Sequence, residues 1–209
     1  NVTALERTIQ ALIRRHETLR TTFCFSDGQP MQVVASPFLL SLPLVSLEHC
    51  PPDARQAALE QIIASEGQLP FDLAQGPLVR VKLVQLGERE HVLVLVLHHI
   101  ISDGWSMGVL VKELSYYYNQ YAVGEAARLA ELEVQYADYA VWQREWLSGA
   151  VLEEQLSYWR KQLGGAAGLL ELPTDHVRPA VQSFRGASEG VELGAELRQG
   201  LKELSRREG

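Results

Sequence analysis

Residues 92–106 read VLVLVLHHIISDGWS and predict the centre of the fold. The run begins with apolar residues, as in strands that are buried on both faces of a sheet. His98 and His99 end the run, and Asp103 and Gly104 precede a pattern of helical periodicity. Reactive groups are common where a strand ends, and histidine changes its protonation state near neutral pH. The stretch therefore predicts a buried strand over 91–99, a turn that is a candidate proton-transfer site, and a helix.

The segments around this stretch predict two hairpins and several helices. Apolar alternation predicts hairpins over 21–35 and 78–99, with a further strand over 183–193. Helical periodicity, with Thr3 and Asp53 as N-caps, predicts helices that begin near residues 3, 53, 106, 136, 152 and 195. Hairpins without strict strand–helix–strand alternation indicate an α/β (α+β) fold, in which helices pack on a mixed, largely antiparallel sheet. Aromatic residues at helical spacing are expected in the core: Tyr136, Tyr139, Trp142 and Trp146.

Composition excludes several classes of protein. The 209 residues carry 19 basic and 26 acidic side chains, a net charge of −7, which argues against nucleic acid as the main partner. The longest apolar run spans only residues 92–97, so neither a membrane span nor a signal peptide is expected. The only two cysteines, Cys24 and Cys50, are too few for a disulfide scaffold and are expected to be reduced. These features predict a globular, cytoplasmic protein.

The two adjacent histidines predict different environments. If the strand continues through residue 99, their side chains face opposite sides of the sheet, so only one reaches a given cleft. Asp103 is able to orient an imidazole, pair with an arginine, or cap the next helix, and Gly104 allows a positive φ or a close backbone approach. Two structural histidines with a capping aspartate are the simpler interpretation. No metal is expected, because no Cys/His cluster or helically spaced glutamate completes a ligand set.

Four ordered motifs resemble those of one family. RHETLRTTF at residues 15–23 is similar to RHExLRTxF, and residues 98–106 match HHxxxDGWS. YADYAVWQ at 136–143 matches YxDYAVWQ, whereas LPTDHVRP at 172–179 departs from LPTDRPRP at His176 and Val177. The chain therefore resembles, over nearly its whole length, the condensation domain of nonribosomal peptide synthetases, within the chloramphenicol-acetyltransferase-like acyltransferases.

The resemblance implies an activity and a site. Such domains join an upstream aminoacyl or peptidyl thioester to the amine of a downstream aminoacyl thioester, and two carrier proteins hold the substrates on phosphopantetheine arms. His99 takes the catalytic position, either as the base for the attacking amine or as the group that orients it. The resemblance implies supporting roles for His98 and Gly104, and for Asp103 paired with an arginine, for which Arg20 and Arg185 are the candidates. It places Trp105 beside the substrate tunnel and implies no intrinsic cofactor. Arg15 and His16 are expected to be structural, at a helix end.

Condensation domains are about twice as long as this chain. The resemblance therefore implies that residues 1–178 form the N-terminal lobe and 179–209 begin a truncated C-terminal lobe. We expect the fragment alone to be inactive and, with the missing lobe's docking surface exposed, to self-associate. The alternatives are a CoA-dependent acyltransferase of the same superfamily, or a fragment that only docks carriers. The ending DGWS favours an elongation-type domain with an L-configured donor.

Overall fold

A computed structural model describes residues 1–183, 186 and 189–208 of the chain. It divides into two compact units, Asn1–Arg160 and Lys161–Gly209, which are taken in turn. The first unit contains a short 3₁₀ helix, Glu17–Arg20, and the following elements in chain order: α1 (Val2–Arg15), β1 (Thr21–Ser26), β2 (Gln29–Val34), β3 (Leu44–Ser46), α2 (Pro52–Gln68), β4 (Val79–Gln85), β5 (His91–Leu97), α3 (Gly104–Ala122) and α4 (Tyr136–Trp146). Helix α5 (Gly149–Leu163) begins in this unit, and its last three residues belong to the second.

The central sheet has the order β3-β4-β5, with β3 parallel to β4 and β4 antiparallel to β5. The predicted fold class, helices packed on a mixed sheet, is confirmed. β3 was not predicted, because it lies between the hairpin expected over 21–35 and the helix expected from near residue 53. β3 has only three residues and its partner lies far along the chain, so no local apolar period indicates it.

The sheet buries both faces, because the side chains of a strand alternate between them. One face packs against α1 and α3 through a cluster that includes Leu12, Ile13, Val79, Val81, Leu83 and Leu110. The other face packs against α2 through Leu47, Leu59, Val84, Leu86 and Val94. Both faces of β4 are therefore covered, which explains why its hairpin with β5 is the most apolar part of the chain.

The β1–β2 hairpin closes through a two-residue loop. Asp27 and Gly28 both have positive φ, 51° and 74°, as type I′ turns require. Ser26 consequently pairs with Gln29, and the register continues to Thr21 opposite Val34. This hairpin forms a sheet of its own, separate from β3-β4-β5.

The helix caps differ from the predicted ones. Asn1, not Thr3, caps α1, because its side chain accepts a hydrogen bond from the Ala4 N–H at 3.0 Å. Asp53 lies inside the first turn of α2, and Pro51 occupies the N-cap position without a side-chain bond. Proline near a helix start already has the required φ, so the helix begins slightly earlier than the aspartate indicates.

The second unit has one helix among its described residues beyond α5, namely α6 (Ala195–Glu208). Of the strand predicted over 183–193, residues 184, 185, 187 and 188 lie outside the described residues, and the others form no strand. A strand needs a hydrogen-bonded neighbour, which apolar alternation alone does not provide. Over the described parts of both units, no helix combines the length and hydropathy needed to cross a bilayer.

Candidate functional site

The turn that follows β5 positions both histidines. β5 ends at Leu97, two residues before the predicted end at 99. The ladder still extends one bond further, because the His98 N–H donates to the Leu78 carbonyl at 3.0 Å. The chain then turns, and the Ile101 N–H donates to the His98 carbonyl at 3.1 Å. His99 therefore lies in a tight turn that is anchored, on its N-terminal side, to Leu78, the residue before β4.

His98 is turned toward the protein. Its Nδ1 accepts a hydrogen bond from the Ile100 N–H at 3.0 Å, and its ring meets the Phe71 ring edge-to-face at 5.9 Å. Because Nδ1 is the acceptor, the neutral imidazole carries its proton on Nε2. His98 is half-buried.

His99 is exposed and lines two concavities. One cleft, of about 280 Å³, has mixed polar and apolar walls: His16, Thr18, Leu19, Leu97, His99, Ile100, Ile101, Ser102, Asp103, Trp105, Ser106, Val109, Leu110 and Tyr136. The other, of about 370 Å³, is lined by Leu95, Val96, Leu97, His99, Ser102, Asp103, Gly104 and Met107. The imidazole thus belongs to the walls of both spaces. This geometry allows one basic group to meet two reactants.

Asp103 is the N-cap of α3 and has no arginine partner among the described residues. Its Oδ1 accepts from the Ser106 N–H at 2.8 Å and from the Ser106 hydroxyl at 2.6 Å. These bonds, the hydroxyl's first, hold the pKa of Asp103 below its ordinary value. Of the two candidate arginines, Arg20 does not contact Asp103, because it pairs with Glu17 at 3.3 Å and donates to the Ala35 carbonyl. The other candidate, Arg185, lies outside the described residues.

Gly104 is the first residue of α3, and its backbone conformation does not require glycine. Its φ is not positive, so that part of the prediction is wrong. A Cβ at this position would meet no heavy atom within 4 Å, which leaves open space beside the His99 turn. The next residue, Trp105, is 85% exposed and forms part of the cleft wall.

Sequence reasoning missed a second polar group in the cleft. His16 lies at the C-terminal end of α1, where its Nε2 is 2.6 Å from Glu113 Oε2 on α3. The same carboxylate accepts from Arg15 Nε, 3.1 Å from each oxygen. Glu113 therefore fixes His16 in the wall of the cleft that His99 also lines. The motif at residues 15–23 was the available signal, but it contains no clue to a partner nearly a hundred residues away.

The aromatic residues of α4 are not in the core, contrary to prediction. Tyr136, Tyr139, Trp142 and Trp146 form a ladder of ring contacts, and each remains between 41% and 54% exposed. Helical spacing places side chains on one face without indicating what covers that face. Tyr136, at the N-terminal end of the ladder, also lines the cleft with His99. In the described part of the chain, His, Cys, Asp and Glu side chains form no group of three that could hold a metal ion.

Comparison with known proteins gives a consistent match over the chain. A family model described as Condensation domain matches residues 1–209. In Brevibacillus parabrevis, one of the linear gramicidin synthase subunits is 49% identical over 209 residues, which are 100% of this chain and 4% of that protein. The X-domain from teicoplanin biosynthesis has a TM-score of 0.77 and 33% identity, over 88% of this chain and 40% of that chain.

A second solved structure supports the same fold. The starter condensation domain of rhizomide synthetase RzmA has a TM-score of 0.71 over 80% of this chain and 40% of that chain, and its 21% identity is evidence of fold alone. The chain therefore spans a small part of its curated relative and less than half of each solved structure.

Proposed function

This chain belongs to the condensation-domain family, with its chloramphenicol-acetyltransferase-like fold, and we propose that it forms part of a domain that makes amide bonds in a nonribosomal peptide synthetase. The donor is an aminoacyl or peptidyl thioester, and the acceptor is the amine of an aminoacyl thioester. The observation that carries the proposal is the position of His99 in the walls of two concavities. The two concavities share His99 among their lining residues, so two substrates, one in each, would meet at this side chain.

The chemistry requires one proton to be moved. The acceptor nitrogen attacks the donor carbonyl, the C–N bond forms, the C–S bond breaks, and the thiolate takes up the proton lost by the amine. As general base, His99 accelerates the reaction by about 10²–10⁴-fold. As a group that orients the amine, it contributes through attack geometry. In both roles an exposed imidazole nitrogen faces the acceptor amine.

The direct test removes the imidazole in the intact synthetase. His99→Ala should abolish amide formation from two carrier-bound thioesters while carrier binding, measured by titration calorimetry, stays unchanged. His91→Ala is the matched control, because His91 is also exposed and lies at the start of β5, at the end away from the His99 turn. Unchanged turnover of His99→Ala would contradict the catalytic assignment, and loss of carrier binding would indicate a structural defect.

We propose that both substrates arrive on phosphopantetheine arms of carrier proteins. Support comes from the curated relative, which is named as part of a linear gramicidin synthase. Donor thioesters on a carrier and on free CoA, offered to the same synthetase, separate this proposal from a CoA-dependent acyltransferase. Equal amide formation from the CoA thioester would contradict dependence on the carrier.

The same proposal gives the chain a place in its domain, with residues 1–178 as the N-terminal lobe and 179–209 as the start of the C-terminal lobe. A chain that spans 40% of a solved relative should then lack tunnel walls and form no amide bond by itself. Half-exposed Trp142 and Trp146 should promote self-association of the 209 residues, which light scattering measures. A clean monomer at high concentration, or robust turnover by these residues alone, would contradict this division.

A further inference from the structure

We propose that Phe71, itself held by Arg80, is a positioning residue for His99 that acts through His98. The inference rests on the proposed function, because it gives a mechanical support to the turn that carries the catalytic imidazole. Neither Phe71 nor Arg80 lies in the motif at residues 98–106, and neither lines the two concavities at His99.

The support begins at the C-terminal end of α2. The Arg80 guanidinium, on β4, donates to the carbonyls of Glu66, Leu69 and Pro70 at 3.0, 2.7 and 3.2 Å. Glu66 is in the last turn of α2, whose carbonyls have no partner within the helix, so its bond to Arg80 satisfies a group that would otherwise need water. Lys82, two residues along the same face of β4, pairs with the Glu66 carboxylate. The segment that leads into Phe71 is thereby fixed to β4.

The Phe71 ring connects this anchor to the turn. The Arg80 guanidinium carbon lies 3.7 Å from the centre of the ring, a close cation–π contact. The same ring meets His98 edge-to-face, with an interplanar angle of 81°. Arg80, Phe71 and His98 thus contact one another in sequence, from the core strand to the turn, and the edge-to-face contact restricts the rotation of the His98 ring.

The orientation of the His98 ring matters because its Nδ1 accepts the Ile100 N–H. A rotation of the ring would remove that bond and leave an amide of the turn without its partner. His99 lies between His98 and Ile100, so its backbone is held from both sides. Loss of the Phe71 ring should therefore release the His99 turn without any change in the walls of the clefts.

The test combines a spectroscopic readout with turnover. In the 209-residue chain, ¹⁵N NMR of His98 should show an unprotonated Nδ1 and a protonated Nε2. Phe71→Leu, and Phe71→Met as a second variant without a ring, should reduce the difference between the two nitrogen shifts, because the tautomers then exchange. Phe71→Tyr keeps the ring and should preserve the signature. Phe25→Leu is the matched control, since Phe25 is 79% exposed at the end of β1.

In the intact synthetase, the variants without a ring should lower kcat roughly 10- to 100-fold with an unchanged KM, as expected for misplacement of a reacting group. Phe71→Tyr should restore the rate. Wild-type His98 signals in folded Phe71→Leu and Phe71→Met would overturn the inference, as would a normal kcat despite altered signals. An inactive wild-type synthetase would instead refute the proposed function, whereas the NMR comparison would still decide whether Phe71 holds the turn.

Discussion

The variant Gly104→Ala tests whether the fold requires glycine at this position or whether a substrate requires the space beside it. The structure gives the fold no reason for this glycine, because φ is not positive and an added Cβ would meet no atom within 4 Å. Alanine is the better helix former by up to about 1 kcal/mol, and less at a first helical position. We therefore expect the free energy of unfolding to stay unchanged or to rise by up to about 1 kcal/mol.

The expected effect on the reaction has the opposite sign. Gly104 lines the second concavity together with His99, so a methyl group there extends into the space that a reactant needs. Forcing extra atoms into a filled site costs about 1–3 kcal/mol. At about 1.4 kcal/mol for each factor of ten, kcat/KM should fall roughly 5- to 150-fold.

Gly108→Ala is the matched control, one turn further along α3. Its Cβ would also meet no atom within 4 Å, and Gly108 lines neither concavity at His99. Urea denaturation should show both variants at least as stable as wild type, while only Gly104→Ala loses amide formation in the intact synthetase. A destabilisation of Gly104→Ala by more than about 1 kcal/mol would refute the structural reasoning. Full activity would refute the close approach of a substrate.

Three further changes test the surroundings of the site. Ser106→Ala removes the hydroxyl that donates to Asp103, so the pKa of Asp103 should rise toward its ordinary value in an NMR titration, and an unaltered pKa would show that the hydroxyl does not lower it. In wild type, the ionised Asp103 cap should stabilise the fold until the pH falls through the lowered pKa. Val84→Ala, at a fully buried position, should lower the free energy of unfolding, measured by urea denaturation, by about 2–3 kcal/mol. A loss below about 1 kcal/mol would show that the neighbouring side chains move into the cavity left by the missing methyl groups. Glu113→Gln should lower the free energy of unfolding by about 2 kcal/mol, which is less than for a fully buried ion pair because the Glu113 side chain is 12% exposed. It should also alter the NMR signals of His16. An unchanged stability would show that Arg15 and His16 do not need the negative charge of Glu113.

Most helices and strands of the first unit were predicted from the sequence, because the residues that determine each of them lie within the element itself. The Asp27-Gly28 loop, the apolar alternation of β5 and the stripe of α3 each determine structure within a few residues. β3 escaped prediction because its three residues become a strand only by pairing with β4, about forty residues later. Caps were misplaced for a related reason, since Asn1 and Thr3 offer similar side chains and only the backbone geometry selects between them.

The candidate site shows the same division between local and distant contacts. The separation of His98 from His99 follows from strand alternation, and it survives although β5 ends at Leu97. The resemblance implied an arginine partner for Asp103, and Arg20 was one of two candidates for this distant contact. Asp103 and Arg20 each have instead a partner three residues away in the sequence. Partners within one turn form without any loop closure, which favours them over partners that the chain must bring together.

Two basic residues interrupt the apolar sequence of β4, and they indicate which residues hold the candidate site in place. β4 has apolar residues on the α1–α3 face, yet Arg80 and Lys82 interrupt its other face. Charged side chains in a covered strand are costly unless they are paired, and these two bind the end of α2. A strand that was only a core element would carry apolar residues at both positions. We therefore interpret the basic pair as the means of fixing the segment before Phe71, and with it the turn of His99, to the central strand of the sheet.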